Sequence, residues 1–298
     1  MTPSPPETPA VYAAESCVEG SSPEGTRPPL RLLFIHHSCG GQWLAPAGPD
    51  VGARCIYEAA VNGGGLRDAL VSAGYEVHEA SYGSRVGEKT DIFDWPAKFR
   101  KQMDEVLRCD HQDTFYPDAR RNQIVMFKSC FPNNRFVGRG RPPGNPAGPE
   151  LTVENAKAAY RRLLPEFGRN PQTLFVAVTA PPLARKSARW HKEAAKRLLG
   201  RPTLNKLGAY AREFNCWLSD PQSGWLPGYP ESNVAVFDLY DVLTDHGASD
   251  FLRYPTGRAG RDSHPSSEGN QKATRAFLPL LEQAVGRMAL RPPDGRTD

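Results

Sequence analysis

At 298 residues with 39% hydrophobic side chains, the chain is long enough to bury a large core, as one α/β domain or two smaller ones. Its 37 basic and 33 acidic residues leave a net charge of +4, too mild to direct binding to nucleic acid. No apolar run approaches the ~18 residues of a membrane-spanning helix, and six scattered cysteines without a CxxC pair argue against a disulfide scaffold or a structural zinc site.

Residues 1–29 carry seven prolines among Ser, Glu, Gly and Thr, too little apolar surface to bury, and read as a mobile tail. They lack the basic start and apolar centre of a secretory leader. The expected location is cytoplasmic, or exported where a leader has been removed. From residue 30 to 290 the chain reads as one domain, and 291–298 as a frayed end.

Five short apolar runs predict strands: Leu32–His37, a more polar Tyr75–Tyr82, Ile124–Phe127, Leu174–Val178 and Val234–Leu239. Runs this short, apolar throughout, suit strands buried on both faces. Between them lie apolar stripes at helical spacing: Phe99, Met103, Val106 and Leu107; then Val153, Ala156, Tyr160, Leu163, Leu164 and Phe167; then Leu204, Leu207, Ala211, Phe214 and Leu218. The last and strongest is Ala273, Ala276, Phe277, Leu280, Leu281 and Ala284. Residues 135–149 and 220–230, rich in Pro and Gly, read as loops. Strands alternating with helices imply parallel pairing through right-handed crossovers. The predicted architecture is therefore a flavodoxin-like three-layer α/β/α sandwich on a five-stranded parallel sheet, with its ligand site at the carboxyl ends of the strands.

Those ends collect the residues able to do chemistry. Ser38 follows the first strand, Asn133 and Asn134 follow the third in KSCFPNN, and His264 lies in RDSHPSSEGN ahead of the last helix. A serine hydroxyl becomes a nucleophile only with a base in hydrogen-bond reach. Histidine, with an ordinary pKa of ~6.5, suits that task near neutral pH. A carboxylate behind the imidazole fixes its tautomer, and backbone N–H groups with an Asn amide stabilise an oxyanion.

The four segments FIHHSCGG, SYGSRVGEKTD, KSCFPNN and DSHP, in this order, resemble the conserved blocks of SGNH hydrolases, a branch of the GDSL esterase/lipase superfamily. The resemblance spans about residues 30–285. It implies Ser38 as nucleophile, His264 as base and Asp262 as the third triad member. It also implies an oxyanion hole of the Ser38 N–H, the Gly87 N–H and the Asn133 side chain. Gly83 is the alternative glycine, and Asn134 the alternative Asn. The family usually has two residues between Asp and His; here only Ser263 intervenes, which leaves Asp241, Asp245 or a backbone carbonyl as other ways to orient the ring. The absence of a GxSxG elbow separates the chain from α/β-hydrolases.

The implied activity is cleavage of a carboxylic ester through a Ser38 acyl-enzyme, with no cofactor and no metal. The implied substrate is a small-molecule ester or a short-chain or acetyl ester on a carbohydrate. An acyltransferase and a non-catalytic carbohydrate-binding protein on the same scaffold are the alternatives. Asn134, Arg135 and Trp43 are candidate substrate contacts beside Ser38 and Asn133, with Trp225 as a second aromatic candidate. Arg135, Arg139 and Arg141, with Lys128, and Arg185, Lys186 and Arg189 mark a basic rim. Cys39 is a rival nucleophile, and Asn62–Gly65 is read as a flexible start to a helix.

Overall fold

The computed structural model describes residues 28–49, 62–185, 196, 198–256 and 261–290. Both predicted tails, apart from Pro28 and Pro29, lie outside these residues, as do Cys17, Cys55, Lys186 and Arg189.

Along each central strand, side chains alternate between two apolar layers because the strand period is two. In β1 (Leu30–Ile35), Leu33 and Ile35 face one core, and Leu32 and Phe34 the other. The same holds for β5 (Ile124–Lys128), with Val125 and Phe127 set against Ile124 and Met126. β6 (Leu174–Val178) and β7 (Val234–Phe237) repeat the pattern. With β2 (Tyr75–Ala80) these form the five parallel strands expected, in the order β2-β1-β5-β6-β7.

Among the described residues the sheet has seven strands, not five. Beyond β2 lie β3 (Cys109–His111), parallel to it, and β4 (Thr114–Phe115), antiparallel to β3. Three- and two-residue strands carry no apolar period to read. They are held by side chains instead: the Asn122 amide donates to Cys109 O at 2.8 Å and to Val106 O at 3.2 Å.

Helices cover both faces. On one lie α3 (Trp95–Lys101), α4 (Met103–Arg108), α5 (Val153–Arg161), α6 (Leu164–Gly168) and α7 (Leu204–Ser219). On the other lie α1 (Cys39–Leu44), α2 (Leu66–Ser72), α8 (Leu239–Leu243) and α9 (Ser267–Met288). Two predicted stripes are each divided between two helices. The first breaks at Gln102, at φ −124° and ψ 19°. The second breaks ahead of Pro165, whose ring lacks the N–H that would continue the turn. α9 is capped by Ser266, whose hydroxyl accepts the Gly269 N–H and so satisfies one otherwise orphaned donor.

The strand order reverses between β1 and β5. In a doubly wound sheet the crevice at that switch point, beyond the carboxyl ends of the strands, is where ligands bind. The residues just beyond β1 and β5 are His36–Cys39 and Ser129–Asn134.

Candidate active site

His36 extends β1 by donating its N–H to Ala80 O at 3.1 Å. Its buried ring lies 3.3 Å from Glu79, which also takes Arg67 at 3.0 Å. Burial holds this imidazole below its ordinary pKa, against the opposing pull of Glu79. The His37 ring stacks on Tyr82 at 3.8 Å, and its Nε2 donates to Gly87 O at 2.7 Å. Burial lowers the pKa of this ring as well. Both histidines are therefore occupied in binding the second loop and strand to the first.

Ser38 stands at the turn from β1 into α1 with φ 34° and ψ −90°. A positive φ on a non-glycine residue costs on the order of 1–3 kcal/mol and is maintained only where the surroundings over-determine it. Its Oγ lies 3.5 Å from Cys130 Sγ.

The loop after β2 is tied down from several sides. Buried Lys98 donates to Val86 O and Glu88 O, each at 2.7 Å, and burial pushes its ammonium pKa down to about 8. The Gly87 N–H donates to Ser84 Oγ at 2.9 Å. A Cβ on Gly87 would stand 1.9 Å from Ser81 O, so only glycine allows the loop to close this tightly. Gly83 donates to the Glu88 carboxylate at 2.9 Å.

A short 3-10 turn, Phe131–Asn134, follows β5. Asn133 Oδ1 accepts the Ile92 N–H at 2.9 Å, which fixes the direction of the amide. Its Nδ2 then donates to Asp91 Oδ1 at 2.7 Å and, with a longer contact of 3.4 Å, to Cys130 O. Ser129 Oγ donates to Thr90 O at 2.7 Å and accepts Trp95 Nε1 at 2.8 Å. The second and third loops thus form one hydrogen-bonded unit.

On the fourth segment, Asp262 Oδ1 lies 2.7 Å from His264 Nδ1 and also accepts the His264 N–H at 3.1 Å. The shortened Asp–Ser–His spacing brings carboxylate and ring together without a second intervening residue. Ser263 is turned away to accept the Ala184 N–H at 3.0 Å. Asp241 is engaged with Arg212 and His246, and Asp245 with Lys272 and Tyr254. The His264 ring meets Phe131 edge-on, with centroids 5.1 Å apart. Cys130 touches Ser38 and its neighbour Phe131 touches His264, so one turn gathers the first and fourth segments.

Several sequence expectations meet a different structure. Trp43 is a core residue, stacked 5.5 Å from Phe237 and donating to Thr274 Oγ1 at 2.9 Å. Trp225 is buried and donates to Tyr160 O at 2.9 Å. Asn134, expected as a substrate contact, is buried, its amide donating to Ala180 O and Pro181 O and its Oδ1 accepting from Asn215. Lys128 is no part of a rim, being 1% exposed. Arg135 is exposed beside the turn. Asn62 donates to Pro265 O at 2.9 Å and Gly64 packs against the backbone of Trp43, so this segment is a rigid start to α2. Among the described residues no cluster of three His, Cys, Asp or Glu groups could hold a metal ion, and no helix is long and apolar enough to cross a membrane. Sequence reasoning missed Asp91, Lys98 and Phe131, which serve the site only through tertiary contacts.

No family model matches the chain, and no curated protein matches it. Among solved structures it is similar to a salicylyl-acyltransferase from a tetracycline biosynthetic pathway, with 12% identity over 90% of this chain and 58% of that one, TM-score 0.41. It is also similar to a carbohydrate esterase family 2 enzyme with a carbohydrate binding domain from Corynascus thermopiles, at 14% identity over 89% of this chain and 69% of that one, TM-score 0.41. A third is an acetyl-xylooligosaccharide esterase from Geobacillus Stearmophilus, at 13% identity over 91% and 100% of the two chains, TM-score 0.39.

Proposed function

We propose that this protein is a serine hydrolase of SGNH type that cleaves a carboxylic ester. The observation that carries the reading is the 2.7 Å contact between Asp262 and His264 Nδ1, in a segment whose His264 ring meets Phe131, next in the chain to the Cys130 that faces Ser38. A carboxylate at Nδ1 holds the proton there and leaves Nε2 as the acceptor the reaction needs.

In this reading Ser38 Oγ attacks the ester carbonyl while His264 Nε2 takes its proton. The tetrahedral oxyanion is met by the Ser38 N–H and by Asn133. One Asn133 amide hydrogen holds Asp91, and the other makes only the 3.4 Å contact to Cys130 O. That second hydrogen is the one available to an oxyanion. The Gly87 N–H, bonded to Ser84 Oγ, contributes once that bond opens. Collapse of the intermediate expels the alcohol, which takes the proton from His264. Water, deprotonated by the same ring, then releases the acid and regenerates Ser38. An acetyl or other short acyl ester, free or on a carbohydrate, is the proposed substrate, and Arg135 its proposed surface contact. We extend the proposal to one domain over 30–290.

A panel of acyl esters run on the wild type and on Ser38→Ala tests it. Turnover of at least one ester, lost in the variant by ~10³-fold or more, is the expected result. Equal turnover in the variant overturns it.

A further inference from the structure

Two thiols flank Ser38. Cys39 follows it in the chain, and Cys130 opens the 3-10 turn. Their sulfurs lie 3.7 Å apart, and Cys130 Sγ is also 3.5 Å from Ser38 Oγ. Neither is in a disulfide; Cys39 is buried and Cys130 half-buried. Two residues before Cys130, the Lys128 ammonium is buried with one hydrogen bond, to Ser129 O at 3.3 Å. An isolated buried cation is costly, and a neighbouring anion offsets that cost. The contact with Cys39 holds the Cys130 thiol well below its ordinary pKa, assisted by the charge of Lys128 and opposed by burial. The other two described cysteines differ. Cys109 donates to Gln112 O at 3.0 Å, with its pKa pushed up to about 12 by burial, and burial also raises Cys216. Of the four described cysteines, Cys130 is the one whose surroundings favour thiolate, the reactive form.

We propose that Cys39 and Cys130 are a redox-active dithiol that donates two electrons to small-molecule disulfides and, once oxidised, switches off Ser38. The exchange stands on the thiol pair alone, whereas its effect on catalysis rests on the reading of Ser38 given above. The Cys130 thiolate attacks one sulfur of the disulfide, forming a mixed disulfide and expelling one thiolate. Cys39 gives up its proton and attacks the Cys130 sulfur, expelling the second. Both leaving thiolates end as thiols; the small molecule is reduced by two electrons and the protein pair oxidised by two. A disulfide of ~2.05 Å requires the sulfurs to approach by about 1.6 Å. That movement draws Cys39, bonded directly to Ser38, toward the turn and removes the thiol that Ser38 Oγ faces. A misplacement of ~1 Å in a reacting group is enough to lose ~10²-fold in rate.

The full chain, folded and reduced, is incubated with oxidised glutathione, alkylated and peptide-mapped. Ester turnover and labelling of Ser38 by a serine-directed phosphonate are followed in parallel. The expected result is a Cys39–Cys130 cross-linked peptide, with turnover and labelling reduced ~10²-fold and restored by dithiothreitol. Cys39→Ser should instead stop at a glutathione adduct on Cys130, with no cross-link. Absence of the cross-link, under conditions in which the reagent oxidises free dithiothreitol, overturns the proposal. So does a cross-link that leaves labelling unchanged. A reduced protein with neither turnover nor labelling sinks the Ser38 reading and the switch with it, while the peptide map still decides the exchange.

Discussion

At the scale of single residues, the triad reading turns on Asp262. Its carboxylate bonds both the ring and the backbone N–H of His264, so it fixes tautomer and orientation together. Asp262→Asn keeps the shape but favours the wrong tautomer, and kcat should fall by roughly 10⁴-fold. If a backbone carbonyl oriented the ring instead, the loss would stay under ~10-fold; kcat on one ester for the two proteins decides. Asn133→Ala should lower kcat by ~10²–10³-fold with KM little changed. Asn134 holds Ala180, Pro181 and Asn215 in place, so Asn134→Ala should appear mainly as lost stability. A denaturant midpoint beside kcat separates these outcomes. A carboxylate at i and its imidazole at i+2 can be recognised in a sequence, but the occupancy of the Asn133 amide cannot. Its partners Asp91 and Ile92 arrive from a loop some forty residues earlier.

At the scale of elements, the loop after β2 depends on Lys98. Its pKa of about 8 lies below the ordinary 10.5, because burial disfavours the charged form. Below about pH 8 both states hold the proton and the term is constant. Between about 8 and 10.5 the unfolded chain holds a proton that the folded chain has released, so stability rises with pH. The term totals roughly 3 kcal/mol. Wild type should gain on Lys98→Met across this window, read as the difference between their urea midpoints at each pH. A constant difference would show that Lys98 is not the titrating group. Strands with a strict apolar run, such as Leu174–Val178, coincide with the observed element. β3 and β4 carry no such run and exist through pairing and the Asn122 amide.

At the scale of the molecule, the sheet separates two cores that share no residue. Val106→Ala on one side and Val176→Ala on the other should each cost roughly 2 kcal/mol. Their effects should add within about 0.5 kcal/mol, in one cooperative transition seen alike by fluorescence and far-UV dichroism. Two separate transitions would mean that the layers unfold independently.

Composition and local pattern by themselves determined the strand-helix alternation, the parallel sheet and the strand-end positions of Ser38, Asn133 and His264, while the segment bearing Gly87 was implied by the resemblance. The physical reason is that apolar periodicity and strand-end polar residues are local properties, set within a few positions of the chain. What only the tertiary structure decided is which polar groups are already bonded. It turned Trp43 and Asn134 inward, pinned Gly87 to Ser84 and His37, brought Asp262 rather than Asp241 or Asp245 to His264, and set Cys130 between Ser38 and Cys39. The positions of Trp43, Asn134 and His37 depend on hydrogen-bond partners 40 to more than 200 positions away, such as Ala180 for Asn134 and Thr274 for Trp43, and contacts at that range exist only once the sheet has closed.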